Sequence, residues 1–211
     1  MMERLTMIQV STPTLSPRRR VAMTWVVWIT AVIAYGFAVM QRTSLGVMGL
    51  TAAAHFNAPA SVVATFMVLQ LAIYAVLQIP AGITVDRLGS RVVITAGSTV
   101  MAIGQVVMAL AGSVGGAVLA RLLVGCGDAF IFGAAIRLVP AWFPPKQTPL
   151  VTQLTGLLGQ FGQVASAVGL VAMVNSNGWR STYLLAAGGA AAAAVLAVLL
   201  IRDAPPAVEP Q

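Results

Sequence analysis

The stretch GITVDRLGSRVVI, residues 82–94, interrupts a sequence in which only 8% of the residues are charged. Asp86, Arg87 and Arg91 lie within six positions of one another. The apolar runs on both sides are each about 20 residues long, which is the length that crosses the hydrocarbon core of a bilayer. The stretch therefore predicts a short polar turn between two membrane-spanning helices.

The whole chain is more apolar than a soluble domain of its length requires. Of its 211 residues, 59% are hydrophobic, and the mean hydropathy is +0.92. This surplus of apolar surface points to contact with lipid. We expect an all-α, polytopic membrane protein with six transmembrane helices. The six runs are Ala22–Gly49, Val62–Ala81, Val92–Ala111, Val114–Val139, Leu150–Val174 and Ser181–Ile201.

The basic residues alternate with the apolar runs and do not form one solvated face. Arg18, Arg19 and Arg20 precede the first run, Lys146 follows the fourth and Arg202 follows the sixth. A nucleic-acid partner is therefore not expected despite the net charge of +7. Because short loops rich in Lys and Arg stay inside, we expect both termini to be cytoplasmic and the protein to lie in the cell membrane. This predicts a cytoplasmic arm over residues 1–21, a bundle over 22–201 and a cytoplasmic tail over 202–211.

Three charged residues fall inside the apolar runs, where each costs about 2.5 to 3.5 kcal/mol at the bilayer centre. They are Arg42, Arg121 and Asp128. Counting along the first and fourth runs places the two arginines at a similar depth. If the six helices form two inverted three-helix repeats, helices one and four correspond to each other, and the similar depth of the two arginines fits that arrangement. Each arginine taken singly could instead bond backbone carbonyls or extend to the interface.

Asp128 follows Arg121 by seven residues, so both project from one helix face about 10 Å apart. They are too far apart to pair directly. A water-filled cavity or a third group is therefore expected to solvate them. Because a charged carboxyl is unfavourable away from water, Asp128 is also the candidate proton-coupling residue.

Other polar residues recur inside the apolar runs at helical spacing. Gln70, Tyr74 and Gln78 lie on one stripe of the second run, and Gln160 lies in the fifth. Glutamine amides can bind a solute or join neighbouring helices. Together with Arg42 and Arg121, the candidate substrate-binding residues are Gln70, Tyr74 and Gln160.

The polar turn has a local chemistry of its own. Gly82 would let helix ends approach closely, and Gly89 suits a tight turn. Asp86 can accept hydrogen bonds from free amides at a nearby helix N-terminus. Arg87 and Arg91 would help to keep the turn inside. Arg137, near the inner end of the fourth run, is either a partner for Asp86 or an interfacial anchor, and we expect the anchor.

At this point the residues resemble a known family. Gly82-x-x-x-Asp86-Arg87-x-Gly89-x-Arg91 is similar to the signature loop of the major facilitator superfamily of secondary transporters, G-x-x-x-D-[RK]-x-G-[RK]-[RK], with Ser90 as the one departure. Arg121-x-x-x-Gly125-x-Gly127 resembles the fourth-helix motif of that family. The stretches WFPPKQTP and NGWRSTYLL also look like those of its members.

The resemblance implies half of a twelve-helix fold and a role for each motif. It implies that the conformational-switch loop of Gly82, Asp86, Arg87, Gly89 and Arg91 stabilises one state of an alternating-access cycle by touching a helix end in a partner half. Arg121 would take part in substrate binding or proton coupling. Arg42 has a counterpart in members that carry organic anions or sugar phosphates, where an arginine fork can hold two oxygens.

The function expected is secondary active transport of a small solute, with an organic anion as the candidate class. The expected partners are that solute, the lipid bilayer and a second six-helix half, from the same gene, another chain or a second copy. No cofactor is expected. A truncated or split product is the first expectation for the missing half, and a non-transporting assembly partner or an inactive fragment is the alternative.

An enzyme is not expected. Only Asp128 offers a carboxylate within an apolar run, so an aspartyl dyad has no second member. His55 is the only histidine and falls in an outer loop, which removes a His-based metal cluster and an embedded Ser-His pair. No phosphate-binding G-x-x-x-x-G-K-[ST] loop occurs.

Overall fold

The structure is a computed structural model that describes residues 16–205. Within that range all regular secondary structure is helical, which confirms the all-α prediction. The elements are α1 (Pro17–Val47), α2 (Gly49–His55), α3 (Ala60–Leu110), α4 (Val114–Trp142), α5 (Thr148–Val164), a π-helical turn (Ala165–Leu170) and α6 (Val171–Leu200). Residues 1–15 and 206–211, which include most of the predicted arm and tail, lie outside the described residues.

Within residues 16–205, four continuous helical stretches are long and apolar enough to cross a membrane. They are Arg18–Val47, Ala60–Leu110, Val114–Trp142 and Thr148–Leu200. The second and fourth have 51 and 53 residues, more than twice the number that a bilayer needs. Each contains one glycine in the left-handed region of the backbone, Gly89 at φ 80° and Gly178 at φ 77°. Both long stretches are therefore interrupted near the middle.

The part of α3 before Gly89 runs parallel to α4. Early in this part, a methyl group placed on Gly125 would lie 2.7 Å from the Gln70 carbonyl oxygen. Near its end, the Asp86 carboxylate pairs with Arg137. Residue numbers increase in the same direction on both helices.

The part of α3 after Gly89 runs antiparallel to α4. A methyl group on Gly97 would lie 2.7 Å from the Gly127 carbonyl oxygen, and one on Gly104 would lie 3.1 Å from that of Ala120. Residue numbers now increase in opposite directions. The chain therefore reverses at Gly89, and its positive φ is the conformation that only glycine adopts without strain.

The second long stretch, Thr148–Leu200, packs against α1 with a similar change of direction. Trp28 Nε1 donates to Thr155 Oγ1 at 2.8 Å, and the Gln160 amide donates to the Tyr35 hydroxyl at 3.2 Å. The part before Gly178 is therefore parallel to α1.

Beyond Gly178, the contact order with α1 is inverted. A methyl group on Gly189 would lie 2.6 Å from Phe37 Cε1. Tyr183, which comes earlier on α6, lies beside Ser44, which comes later on α1, since one nitrogen of Arg121 donates to both side chains. The chain therefore reverses a second time between α5 and the end of α6.

Small residues allow these helices to pack closely. The Ala-rich part of α6 is buried at Ala186, Ala187, Ala190, Ala193 and Ala197. On α5, Gly159 is in tight contact with Tyr35 of α1, and the next glycine, Gly162, is against the α1 backbone. Gly156 makes no such contact, since a methyl group there would meet nothing within 4 Å in the described chain.

The segment after α6 closes one end of the bundle. The Asp203 carboxylate accepts a hydrogen bond from the Arg91 backbone N–H at 3.0 Å, and Trp142 Nε1 donates to the Arg202 carbonyl at 2.8 Å. Asp203, rather than Asp86, therefore caps the helix that begins after Gly89. The Asp86 carboxylate bonds to Arg137, so its expected contact with a helix N-terminus is not made within the described residues and stays a prediction.

Contacts also join the opposite end of the bundle. The His55 ring stacks on Trp179, with 4.5 Å between ring centroids. Trp179 Nε1 in turn donates to the Met108 carbonyl at 3.1 Å. His55 thus lies at the end of α2 in an aromatic contact, rather than free in a loop.

Gly89→Ala is expected to destabilise the fold by about 1–3 kcal/mol, because alanine at this φ is strained. Its methyl group would also lie within 2.9 Å of the Asp203 carboxylate. Gly82→Ala is the matched control in the same turn, since a methyl group there meets nothing within 4 Å. That substitution should change stability by less than about 1 kcal/mol, in the stabilising direction. Thermal unfolding of the purified variants measures the difference, and equal effects would contradict this account of the turn.

Candidate transport site

An ion pair joins α1 to α4 inside the apolar bundle. Arg42 Nη1 lies 3.1 Å from Asp128 Oδ2, and the two side chains are 18% and 1% exposed. Arg42 is the third group that the spacing of Arg121 and Asp128 required. A charge pair at this depth is stabilised by the partner and by hydrogen bonds rather than by water.

Two further candidate residues lie against Arg42. Its guanidinium carbon is 5.3 Å from the centroid of the Tyr74 ring, which is cation–π distance. The Gln70 amide donates to the Arg42 backbone carbonyl at 3.3 Å. The structure therefore brings Arg42, Gln70, Tyr74 and Asp128 together from three helical segments.

Arg121 is placed differently, because its side chain is completely buried. One terminal nitrogen donates to the Gln41 carbonyl at 3.2 Å and to Gln70 Oε1 at 3.4 Å. The other donates to Ser44 Oγ at 3.1 Å and to the Tyr183 hydroxyl at 3.4 Å. In this conformation the Arg121 guanidinium donates hydrogen bonds to four polar groups, and none of its surface is exposed to a solute.

Gln160 lies at the edge of the site. Its amide donates to the hydroxyl of Tyr35, which lies seven residues before Arg42 on the same face of α1. Gln163 donates to Gln160, which extends the polar chain along α5. Gln160 therefore reaches Arg42 only through Tyr35.

The sequence did not single out Tyr35, Ser44 or Tyr183. An aromatic or hydroxyl residue in an apolar helix resembles core packing until its partner is known. The available signal was that Tyr35 precedes Arg42 by seven residues, which places both on the same face of α1.

The polar turn carries a second ion pair. Asp86 Oδ1 bonds Arg137 Nη1, and the two side chains are 62% and 50% exposed. The expected role of Arg137 as an interfacial anchor is therefore wrong, because its guanidinium lies on Asp86. An exposed pair of this kind contributes only about 0–1 kcal/mol to stability.

Gly82, Arg87 and Arg91 are exposed and Gly89 is partly buried, whereas Val85 and Ser90 of the same stretch are buried. Arg87 and Arg91 are in neither of the two ion pairs found within residues 16–205. The expected close approach at Gly82 is not present in the described chain, since the space beside it is open. Over the same residues, no group of three or more His, Cys, Asp or Glu side chains could hold a metal ion.

The profile of the Major Facilitator Superfamily matches residues 26–211. The chain belongs to the major facilitator superfamily. The family resemblance noted in the polar turn and in the fourth helix is thereby confirmed. Membership in this family, together with four helical stretches within the described residues that are long and apolar enough to cross a membrane, identifies a multi-pass membrane protein of a transporter family.

Three curated relatives of this chain are named for the transport of sulfoacetate, L-galactonate and hexuronate. A probable sulfoacetate transporter of Cupriavidus necator is 24% identical over 132 residues, which is 63% of this chain and 31% of the relative. A probable L-galactonate transporter of Escherichia coli is 24% identical over 74% of this chain and 34% of the relative. A hexuronate transporter of Escherichia coli is 24% identical over 54% of this chain and 27% of the relative.

Solved structures share the fold. A bacterial homologue of the human lysosomal transporter Spinster, inward-facing and occupied, superposes with a TM-score of 0.75 and 18% identity over 92% of this chain. A proton:xylose symporter bound to 6-bromo-6-deoxy-D-glucose gives a TM-score of 0.72 and 14% identity over 87% of this chain. In both cases the match covers 46% of the other protein. The chain spans about half the length of these structures and about a third of its curated relatives.

Arg42→Met is expected to destabilise the bundle by about 3–5 kcal/mol, because it leaves the buried Asp128 without its cation. Adding Asp128→Asn should recover part of that loss, with a coupling energy of about 1–3 kcal/mol. Arg87→Met, at an exposed position outside the ion pairs, should stay within about 0.5 kcal/mol of wild type. The double-mutant cycle compares the unfolding in detergent of wild type, Arg42→Met, Asp128→Asn and the double variant. Additive losses would mean that the pair is not energetically coupled.

Proposed function

We propose that the chain forms the N-terminal six-helix half of a secondary transporter in the cell membrane, with both termini cytoplasmic, and that the transporter carries a small organic anion. The half comprises an arm over residues 1–21, a bundle over 22–201 and a tail over 202–211. The observation that carries the proposal is the Arg42–Asp128 pair, a partly exposed guanidinium held at membrane depth by a carboxylate.

Six spans as two inverted repeats are supported by the two chain reversals. Gly89 and Gly178 divide the long helices into 60–88, 90–110, 148–177 and 179–200. With α1 and α4, these segments form two sets of three in the same order. The segment 60–88 is parallel to α4, and 148–177 is parallel to α1. These are the directions that six alternating spans require.

An anionic solute is supported by the chemistry of Arg42. In this conformation the Asp128 carboxylate occupies the guanidinium, so a solute carboxylate or sulfonate would bind by replacing it. Arginine suits this exchange because its planar guanidinium can donate two parallel hydrogen bonds to the acid group of the solute, in the same geometry as to a carboxylate side chain. The relatives named for sulfoacetate, galactonate and hexuronate transport handle solutes that carry such groups.

The remaining polar residues assist Arg42 in this proposal. Tyr74 and Gln160 contact the solute beside Arg42, one across the cation–π face and the other next to Tyr35. Gln70 and Arg121 hold the helices that carry the site. Arg121 itself reaches solute only in a conformation where its bonds to Ser44 and Tyr183 open.

Asp128 couples the solute to a proton. A solute that takes Arg42 leaves the Asp128 carboxylate charged in an apolar site with no cation beside it. Uptake of one proton removes that charge, so anion and proton cross together. The order of events is therefore displacement of Asp128 from Arg42, protonation of Asp128, and then reorientation of the loaded site.

The conformational-switch loop and the partner half complete the cycle. Gly82, Asp86, Arg87, Gly89 and Arg91 form the turn that touches the second half in one state. The weak, exposed Asp86–Arg137 pair suits a contact that forms and breaks. Open space beside Gly82 leaves room for a partner helix. The second half comes from the same gene, another chain or a second copy of this one.

Arg42→Ala is expected to lower solute uptake by about 10- to 150-fold, because a charge-assisted bond to the solute is lost. The assay uses proteoliposomes of the native assembly purified through a tag on this chain, with labelled sulfoacetate, galactonate or glucuronate. Arg180→Ala removes an exposed positive charge near the second chain reversal and is the control, expected to match wild type. Unchanged uptake in Arg42→Ala would remove the anion site, and no uptake by any wild-type assembly would favour a non-transporting partner.

Asp128→Asn is expected to abolish the stimulation of uptake by an inward proton gradient, since the amide cannot take up a proton. Exchange of labelled for unlabelled solute across the membrane should persist, because exchange needs no net proton movement. Both rates are measured in the same proteoliposomes with and without the gradient. Persistent stimulation by the gradient in Asp128→Asn would be incompatible with this coupling role.

A further inference from the structure

We propose that the end of the bundle where α1 begins holds an anionic phospholipid in a dedicated cavity. A cavity of about 530 Å³ lies between the first turns of α1 and the junction of α4 with α5. Arg20 and Trp25 line it from α1, and Trp142, Phe143 and Gln147 line it from the junction. This site is distinct from the Arg42 site, and the inference does not depend on what the protein transports.

The positive charge at the start of α1 favours the binding of an anion. Arg18, Arg19 and Arg20 occupy the first turn of α1, which contains no acidic residue. Cations at a helix N-terminus are unfavourable because the peptide dipoles already place positive charge there. None of the three is in the ion pairs found among residues 16–205. A bound phosphate group would offset both the three arginines and the helix dipole.

The aromatic walls of the cavity are held in place. Trp25 makes edge-to-face contacts with Trp28 and Phe143, each with 5.5 Å between ring centroids. Trp28 is fixed by its bond to Thr155, and Trp142 by its bond to the Arg202 carbonyl. Trp25 remains 46% exposed. Amphipathic rings in this position are typical of the level of lipid headgroups.

The mixed lining selects a lipid over a soluble anion. Arg20 supplies a charge, whereas Val21 and Ala141 on the same walls are apolar. An inorganic phosphate would satisfy the charge and leave the apolar surface in water. An anionic phospholipid places its phosphate on Arg20 and its glycerol and upper acyl chains on Trp25 and the aliphatic residues. Basic pockets between membrane helices take such headgroups in the same way.

The test uses quenching of tryptophan fluorescence by brominated lipids in vesicles that contain the full chain. Three of the four tryptophans lie at this end, and Trp25 is on the cavity wall. Brominated phosphatidylglycerol is expected to quench at about a five-fold lower mole fraction than brominated phosphatidylcholine, the preference that one arginine near a membrane surface provides. Equal quenching by the two lipids in the wild-type chain would overturn the proposal.

Two further arms identify the residue and the occupant. Arg20→Gln should remove most of the five-fold preference, whereas Arg87→Gln, which removes an exposed arginine outside the cavity, should change it by less than about two-fold. If the two variants lowered the preference for phosphatidylglycerol equally, general surface charge would explain the preference and a specific site at Arg20 would be refuted. Millimolar inorganic phosphate should leave the quenching unchanged, and displacement of the lipid by phosphate would refute the lipid as occupant.

Discussion

Arg121 is the constraint on which the arrangement of helices depends. A guanidinium with no exposed surface must find its acceptors inside the protein, and its four lie on α1, on the segment 60–88 and on α6. These acceptors are reached only because glycines let the backbones approach, as Gly125 does against Gln70. The Arg42–Asp128 pair then forms about two helical turns further along the same face of α4, between α1 and α4. The enclosed arginine thus organises the helices that position the accessible one.

The sequence was sufficient for the helical class and for the polar turn. Apolar runs of bilayer length, alternating basic turns and the glycine at position 89 each have a direct physical meaning. It could not show that Arg42 and Asp128 pair, because they are 86 positions apart and the rotation of each helix about its axis depends on packing. The same unknown rotation explains why Arg137 was expected at the interface and instead faces Asp86. Gly82 was expected in a close contact, yet a methyl group there would meet nothing within 4 Å in the described chain.

The candidate site combines residues of two kinds. Charged residues in apolar runs could be recognised without a structure, since their burial is costly and demands a reason. Tyr35 and Tyr183 could not, because a tyrosine in a helix of this composition packs as an aromatic side chain and shows its hydroxyl partner only in three dimensions. Tyr183 accepts a hydrogen bond from Arg121, and Tyr35 accepts one from Gln160. Gln160, Tyr35, Arg42 and Asp128 thus lie in a row of polar residues that crosses three helical segments, α5, α1 and α4.

The clasp formed by Asp203 and Arg202 has a mechanical consequence. It fastens the segment that follows α6 to the turn after Gly89 and to the end of α4, so residues from three parts of the sequence meet at one rim. Stacking of His55 on Trp179 joins α2 to α6 at the opposite rim. Bending of the bundle would have to break these contacts first. The contacts at both rims therefore favour movement of the bundle as one body over bending within it.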